Sequence, residues 1–518
     1  MGTVLKERNF CHTARKYLQE YNNSTSIHGL HYLTEERSLT EKIVWSIILL
    51  ISLSGCVYMI SGIARKYQIT PVVVNIASED TPLYEIPFPA ITICPEAKFS
   101  SNVFNYTDFY FKLSALDKDA TENLAELRNF TYLSLLCDDP WKQGNKTVEE
   151  DFFKVITELA PSFELDCTMN ETYFKARDVF TPVLIDQGIC YSYNMLDRSH
   201  IFRDNVVHHS NFYNVRQKSH DYDFDAGWGY SKEAEMETYP RRALMSGADN
   251  SFDIYLKYNS NDTDYICNAF HQGYRILIHS PWDVPHLSSY YFRVPLDKAV
   301  LAAVDPELII TSEEVQKFHS DKRKCYMIDE RPLKYFKIYT ESNCFFECLT
   351  NYTLEKCGCV QYFMPRNKST PVCGTGSYDC TTTAENELKM KDIRTKISGK
   401  TYCNCKPQCT ALRYHVENSH SDFYWRNYFK VYKHYNAEDS EDFGEETHWS
   451  VLSIYLKSEE IITLERRELY GISDFVANFG GLLGLFTGFS LISLIEMIYF
   501  LTLRICCNQR LSGHWSGR

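Results

Sequence analysis

At 518 residues the chain has room for one large domain or two to three of ordinary size. Its formal net charge of −13 disfavours polyanionic partners, so a nucleic-acid-binding role is set aside. A mean hydropathy of −0.33 describes a soluble protein only on average, because apolar residues are concentrated in two runs near the ends.

Residues 1–42 read as a polar segment containing Ser26-Ile27-His28-Gly29, where glycine permits a tight bend. Between Lys42 and Arg65 lie 22 uncharged residues, 43–64, and about 20 apolar residues cross a bilayer core, so a transmembrane helix is expected there. The run starts too far from Met1, is too long and lacks a small-residue cleavage site, so it reads as an uncleaved anchor, not a signal peptide. Beyond it, 71–76 and 86–95 are β-branched runs whose prolines confine them to strand ends or edges. A helix is expected over 148–159. The alternation at 252–256 and 274–278 predicts strands, as does 450–456. With no repeat or low-complexity tract, 65–470 reads as one compact α+β unit. The second apolar run, 475–503, carries a single charge, Glu496, and is bounded by Asp474 and Arg504. A second transmembrane helix is assigned to 474–503 and a tail to 504–518.

Seven N-x-[ST] sequons, at Asn105, Asn129, Asn145, Asn170, Asn261, Asn351 and Asn367, lie between the two runs. So do fifteen of the nineteen cysteines, a density expected where disulfides persist. Both facts place 65–470 outside the cell as a glycosylated domain and both termini in the cytoplasm, at the plasma membrane. The positive-inside rule does not decide, because Arg65 and Lys66 follow the first run while Lys42 precedes it. The chain holds no G-x-S-x-G, H-E-x-x-H or G-x-x-x-x-G-K-[ST] motif, and no catalytic residue, cofactor or metal is expected.

Twenty-nine helical residues at ~1.5 Å each would reach roughly 43 Å, against about 30 Å of hydrocarbon, so the second run must tilt, protrude or break. Gly480, Gly481, Gly484 and Gly488 form a small-residue stripe suited to close helix contact. Ser490, Ser493 and Glu496 continue it at spacing three, on one face of a continuous helix. An ionisable residue in a span faces a protein interior or a water path. The bland alternative for Glu496 is snorkelling toward the inner headgroups, eight residues before Arg504. A ring of such faces makes a pore only when several subunits contribute.

The cysteines are spaced Cys344-x3-Cys348-x8-Cys357-x-Cys359, then Cys373, Cys380 and Cys403-x-Cys405-x3-Cys409, with Cys325 upstream. Zinc would suit such pairs, but no histidine joins the spacing and the compartment is oxidising. This block, with Phe88-Pro89-Ala90-Ile91-Thr92-Ile93-Cys94 and Gly488-Phe489-Ser490, resembles the degenerin/epithelial sodium channel family, notably its insect pickpocket branch. The resemblance implies an integral membrane protein with two transmembrane helices flanking one large disulfide-rich α+β extracellular domain, assembled as a trimeric channel. It implies the bridges Cys94–Cys190, Cys325–Cys409, Cys344–Cys405, Cys348–Cys403, Cys357–Cys380 and Cys359–Cys373. Among the three cysteines left over, the expected pair is Cys137–Cys167, with Cys267 free. Gly488, Phe489 and Ser490 would form a selectivity filter, with Gly484, Ser493 and Glu496 lining the pore. His28, Gly29 and Ala477 would govern gating. The partners implied are sodium ions, membrane lipid and related subunits in a homo- or hetero-trimer, with amiloride-type block and a sensory stimulus received outside. Two departures stand out: Lys322 replaces a tryptophan of acid-sensing relatives, which counts against proton gating, and Tyr499 replaces an acidic residue of theirs, which implies less charge in the inner vestibule. A two-span glycosylated receptor without a pore would share the topology, but leaves the serine–glutamate face unexplained.

Overall fold

Alternating burial shapes the larger of two units, Val74–Arg466; the smaller joins Met1–Val73 to Arg467–Arg518. The computed structural model describes residues 16–34, 38–69, 71–115, 123–169, 172–207, 224–227, 229–236, 238–268, 270–286, 290–399, 401–435, 444–469 and 471–512.

In the larger unit, the strand Phe252–Asn259 turns Phe252, Ile254, Leu256 and Tyr258 inward, as a period of two requires. It pairs antiparallel with Thr447–Leu456 on one side and Glu164–Met169 on the other. The 14-residue strand Lys298–Thr311 lies parallel to Thr447–Leu456 and Thr463–Glu468 and antiparallel to Ala411–Asp422. Pro306 falls in the gap between its two parallel partners, whose registers stop at Val304↔Leu456 and resume at Leu308↔Thr463. A residue without an N–H interrupts no ladder there.

A second sheet runs in the order Phe292–Val294, Tyr274–His279, Ala90–Pro95, Gly188–Tyr193, Phe180–Ile185. Its middle strand, Ala90–Pro95, is buried on both faces, which is why its sequence is nearly all apolar. The exception, Thr92, donates to Ser192 Oγ at 3.0 Å and meets His279 Nε2 at 2.8 Å. At the strand's end the buried Glu96 carboxylate accepts from Arg275 at 2.8 Å and Arg293 at 3.2 Å. The helix expected over 148–159 is confined to Phe152–Glu158, because Val148 donates its N–H to the Val372 carbonyl at 3.0 Å and Thr147 bridges Cys373.

Two buried groups near that sheet carry opposite pH dependences. Burial pushes the His279 pKa down to about 4. Burial also pushes the Asp283 carboxyl up to about 6, against the opposing pull of the Thr340 hydroxyl. As pH falls from about 6.5 toward 4, the unfolded state protonates the histidine first, so His279 costs stability. From about 6 toward 4 the folded state holds the extra proton on Asp283, so that group adds stability on acidification. Melting of purified protein between pH 7.5 and 5 should therefore shift in opposite senses in the two variants. His279→Gln gains relative to wild type on acidification and Asp283→Asn loses; parallel shifts would refute the pair.

The cysteine-dense block builds a lobe around the helices Glu341–Cys357 and Tyr378–Ile397. Thr340 caps the first helix by accepting from Asn343 N at 2.9 Å, and Gly358, at φ +73°, ends it. Cys344 and Cys348, one turn apart, are bridged to Cys405 and Cys403. Cys357 joins Cys380, Cys359 joins Cys373, and Cys325 joins Cys409. With all ten thiols in bridges, none remains for zinc. Cys94 and Cys190 link adjacent strands of the second sheet.

The expectation for the other three cysteines is overturned: the bridge is Cys137–Cys267, and Cys167 is the buried free thiol. Cys167 is locked at mid-sheet opposite Ile254 and Phe174, donating to the Phe174 carbonyl at 3.3 Å. Cys137 lies three residues past the end of the helix Leu124–Ser134, beside the Tyr265–Asn268 turn, where Asp138 N–H bonds the Cys267 carbonyl at 3.0 Å and the two cysteine Cα atoms stand 4.6 Å apart. Cys137→Ser or Cys267→Ser should cost roughly 2–5 kcal/mol and reduce surface expression. Cys167→Ser should leave the disulfide pattern and non-reducing gel mobility unchanged.

Of the sequon asparagines, Asn105, Asn145 and Asn261 are exposed, Asn129, Asn351 and Asn367 are half-buried, and Asn170 lies outside the described residues.

In the smaller unit the first span is one helix, Leu39–Ile69, longer than the 43–64 run because helical hydrogen bonding continues through Glu41 and Lys42 and through Arg65 and Lys66. The second run is not one helix. It divides into Ile472–Thr487, Leu491–Leu501 and Leu503–Ser512. Leu39–Ile69 is long and apolar enough to cross a bilayer; in the second run Ile472–Thr487 is a shorter apolar helix, and the stretch from Leu491 to Leu511 reaches the required length and hydropathy only when the helices on either side of Thr502 are taken together.

Candidate pore and gating site

The division of the second span has a local cause. Gly488 adopts φ +67°, and its N–H returns to the Gly484 carbonyl at 2.9 Å while Phe489 N–H reaches the Leu483 carbonyl. That is a left-handed helix terminator, which a side chain disfavours. Ser490 then turns extended and caps the next helix: its Oγ accepts from Ser493 N at 3.3 Å, and Ser493 Oγ accepts from Ser490 N at 3.0 Å. Non-helical backbone at membrane depth is tolerated only against protein or water.

The protein side of that backbone comes from the amino-terminal segment and the first span. His28 N–H donates to the Thr487 carbonyl at 3.0 Å, Ser52 Oγ to the Phe486 carbonyl, and Thr487 Oγ1 to the Leu483 carbonyl at 2.7 Å. A Cβ at Gly488 would lie 2.6 Å from the His28 ring. Gly29, at φ +88°, approaches Leu49 so closely that a Cβ would sit 2.7 Å from its methyl. Ser26 completes the dock: its Oγ meets Ser493 Oγ at 2.6 Å, and its N–H and Oγ both reach Glu496 Oε2 at 3.2 Å. Further along, Tyr17 OH bonds the Phe500 carbonyl at 2.6 Å and Glu20 pairs with Arg504.

The single continuous face expected through Gly480–Glu496 is therefore corrected to two. On Ile472–Thr487, Phe475, Phe479, Leu482 and Phe486 share a face; Phe475 meets Tyr67 at 5.3 Å and Phe486 lies against Gly55 of the first span. Ala477, Gly481 and Gly484 fall on the opposite, exposed side. On Leu491–Leu501, Ser493 and Glu496 share a face and turn to Ser26, with Ser490 as the cap above them. Glu496 is half-buried, and its carboxylate accepts from both the Ser26 N–H and the Ser26 hydroxyl. Sequence reasoning did not single out Ser26 as a partner, nor Ser52 and Thr487. A signal existed for Ser52: with Gly55 and Cys56 it forms a small-residue stripe at i, i+3, i+4. Among the departures, Lys322 lays its ammonium 4.0 Å over the Phe318 ring, and Tyr499 is exposed.

The family profile described as amiloride-sensitive sodium channel matches residues 21–500. The chain belongs to this family. Relatives include Pickpocket protein 28 of Drosophila melanogaster, 26% identical over 512 residues, covering 95% of this chain and 79% of the relative. Sodium channel protein Nach of the same species is 23% identical over 526 residues, covering 98% and 91%. The Bile acid-sensitive ion channel of Homo sapiens is 22% identical over 508 residues, covering 94% and 86%. The protein is thus a two-span subunit of a sodium-type cation channel, oligomeric as this family is, and the matched stretch takes in both the dock at Ser26–Gly29 and the break at 488–490.

Proposed function

We propose that three such subunits, identical or related, line a sodium-selective pore with both termini in the cytoplasm. The break at Gly488-Phe489-Ser490 carries this reading. It interrupts the helix and gathers carbonyl and hydroxyl oxygens, the ligands that replace a hard cation's water, into one short stretch. Gly484 lies just above the break, and Ser493 and Glu496 lie below it, where a carboxylate raises local cation concentration. The dock of Ser26, His28 and Gly29 onto the lower half gives the amino-terminal segment a hold on the same backbone, so its release or tightening would change conduction. Ala477 stands on the small-residue face where neighbouring subunits would close against one another. The stimulus acts through the disulfide-braced extracellular domain, and an amiloride-type cation blocks from outside. Whole-cell recording with external sodium replaced by potassium tests the reading. Inward current carried by sodium, with the reversal potential moving negative on replacement and reversible amiloride block, is expected. Equal reversal potentials in the two ions would refute the selectivity.

A further inference from the structure

The helix Leu503–Ser512 follows the second span after a single residue, Thr502, whose backbone leaves the helical region. Its two sides differ. Arg504 is paired with Glu20 and Asn508 is buried, so the side they share is covered. Leu503, Cys506, Cys507, Arg510 and Leu511, at spacing i, i+3, i+4, i+7, i+8, share the other side, and all five are exposed. Two free thiols therefore stand between two exposed leucines on one helix face, within about 10 Å of helix rise from the end of the span.

Other uses of such a pair fit poorly. Adjacent Cα atoms are about 3.8 Å apart, below the usual 4.4–6.8 Å of a disulfide, and successive helical side chains diverge. Among the described residues no group of three or more His, Cys, Asp or Glu side chains is placed to hold a metal. What the face offers is a nucleophile at the membrane edge, beside apolar side chains that an acyl chain would lie against.

We propose that Cys506 and Cys507 are sites of reversible S-acylation by a long-chain acyl-coenzyme A thioester. The cysteine thiolate attacks the thioester carbonyl, a new carbon–sulfur bond forms, and coenzyme A leaves as its thiolate. It takes up the proton that the cysteine lost, with no change in oxidation state. The inserted chains would pin this helix to the inner leaflet. Through the Glu20–Arg504 pair they would also restrain the amino-terminal segment carrying Ser26 and His28. The inference rests on the cytoplasmic placement of the carboxyl terminus, where the acyl donor is found.

The test uses the full-length chain expressed in cells. Free thiols are blocked with maleimide, thioesters are cleaved with neutral hydroxylamine, and the released thiols are tagged with a maleimide-polyethylene glycol. Wild type should show one or two hydroxylamine-dependent mass shifts. The variant Cys506→Ser/Cys507→Ser should lose them while remaining at the surface by biotinylation, which also subtracts any tag on Cys11, Cys56 or Cys167. No hydroxylamine-dependent shift in wild type, or an unchanged shift in the double variant, overturns the proposal. A membrane-impermeant maleimide on intact cells separates the two readings. Labelling of Cys506 or Cys507 from outside would refute the cytoplasmic tail itself, whereas protection with no acyl tag counts against acylation alone.

Discussion

Valine at position 477 is expected to give a channel that conducts without a stimulus, seen as a large standing inward current abolished by removing sodium or adding amiloride. Ala477 is exposed and lies on the same side of its helix as Gly481 and Gly484, away from the phenylalanines that meet the first span. In the proposed trimer that side faces the neighbours, and a closed pore needs the three helices to approach there. Overpacking a close contact costs about 1–3 kcal/mol per site. Three copies would raise the closed state by roughly 3–9 kcal/mol, and about 5.5 kcal/mol converts a 1:99 equilibrium into 99:1. Ala477→Gly, which adds no bulk, should still close. Unchanged current from an Ala477→Val chain present at the surface would remove this residue from the gate.

Alanine at Gly488 is expected to abolish sodium selectivity or current altogether. Two costs combine. A non-glycine residue in the left-handed region pays about 1–2 kcal/mol, and the new methyl would sit 2.6 Å from the His28 ring, well inside contact distance. Either the helix terminator moves, carrying Phe489 and Ser490 with it, or His28 withdraws and frees the Thr487 carbonyl. Both disturb the break on which the proposed conduction pathway rests. Adding His28→Ala should relieve the steric part and leave the backbone part, so the double variant recovers some current without recovering the sodium-to-potassium permeability ratio. Wild-type selectivity in Gly488→Ala alone would show that the break is not the filter.

Some of this architecture could be read directly from residues. The alternation through Phe252-Asp253-Ile254-Tyr255-Leu256 specifies one buried face and thus one register, and the strand is found there. The run Ala90–Pro95 lacks alternation because both its faces are buried. The division of the second span was legible only as a requirement of length. Its chemical signals were present, a glycine at a helix end and a serine three residues before another serine. They lie inside an apolar run whose small-residue spacing carries on across them, and that periodicity hid the stop. Docking of Ser26 onto Glu496 had no local signal at all, since 470 residues separate the pair. The partner of Cys137 was equally hidden, because spacing says nothing of which strand or turn a distant thiol occupies.

The Cys325–Cys409 bridge has a consequence for proteolysis. It joins two positions 84 residues apart, and the Cys344–Cys405 and Cys348–Cys403 pairs sit inside it. The whole lobe is thus a covalent ring hung from one knot, with the Ala411–Asp422 strand leaving immediately after the knot. An extracellular protease that cuts once anywhere within the ring opens a loop but releases nothing. Such a nick would go unseen on a non-reducing gel and appear only after reduction, so the lobe can be clipped in place while the subunit stays whole.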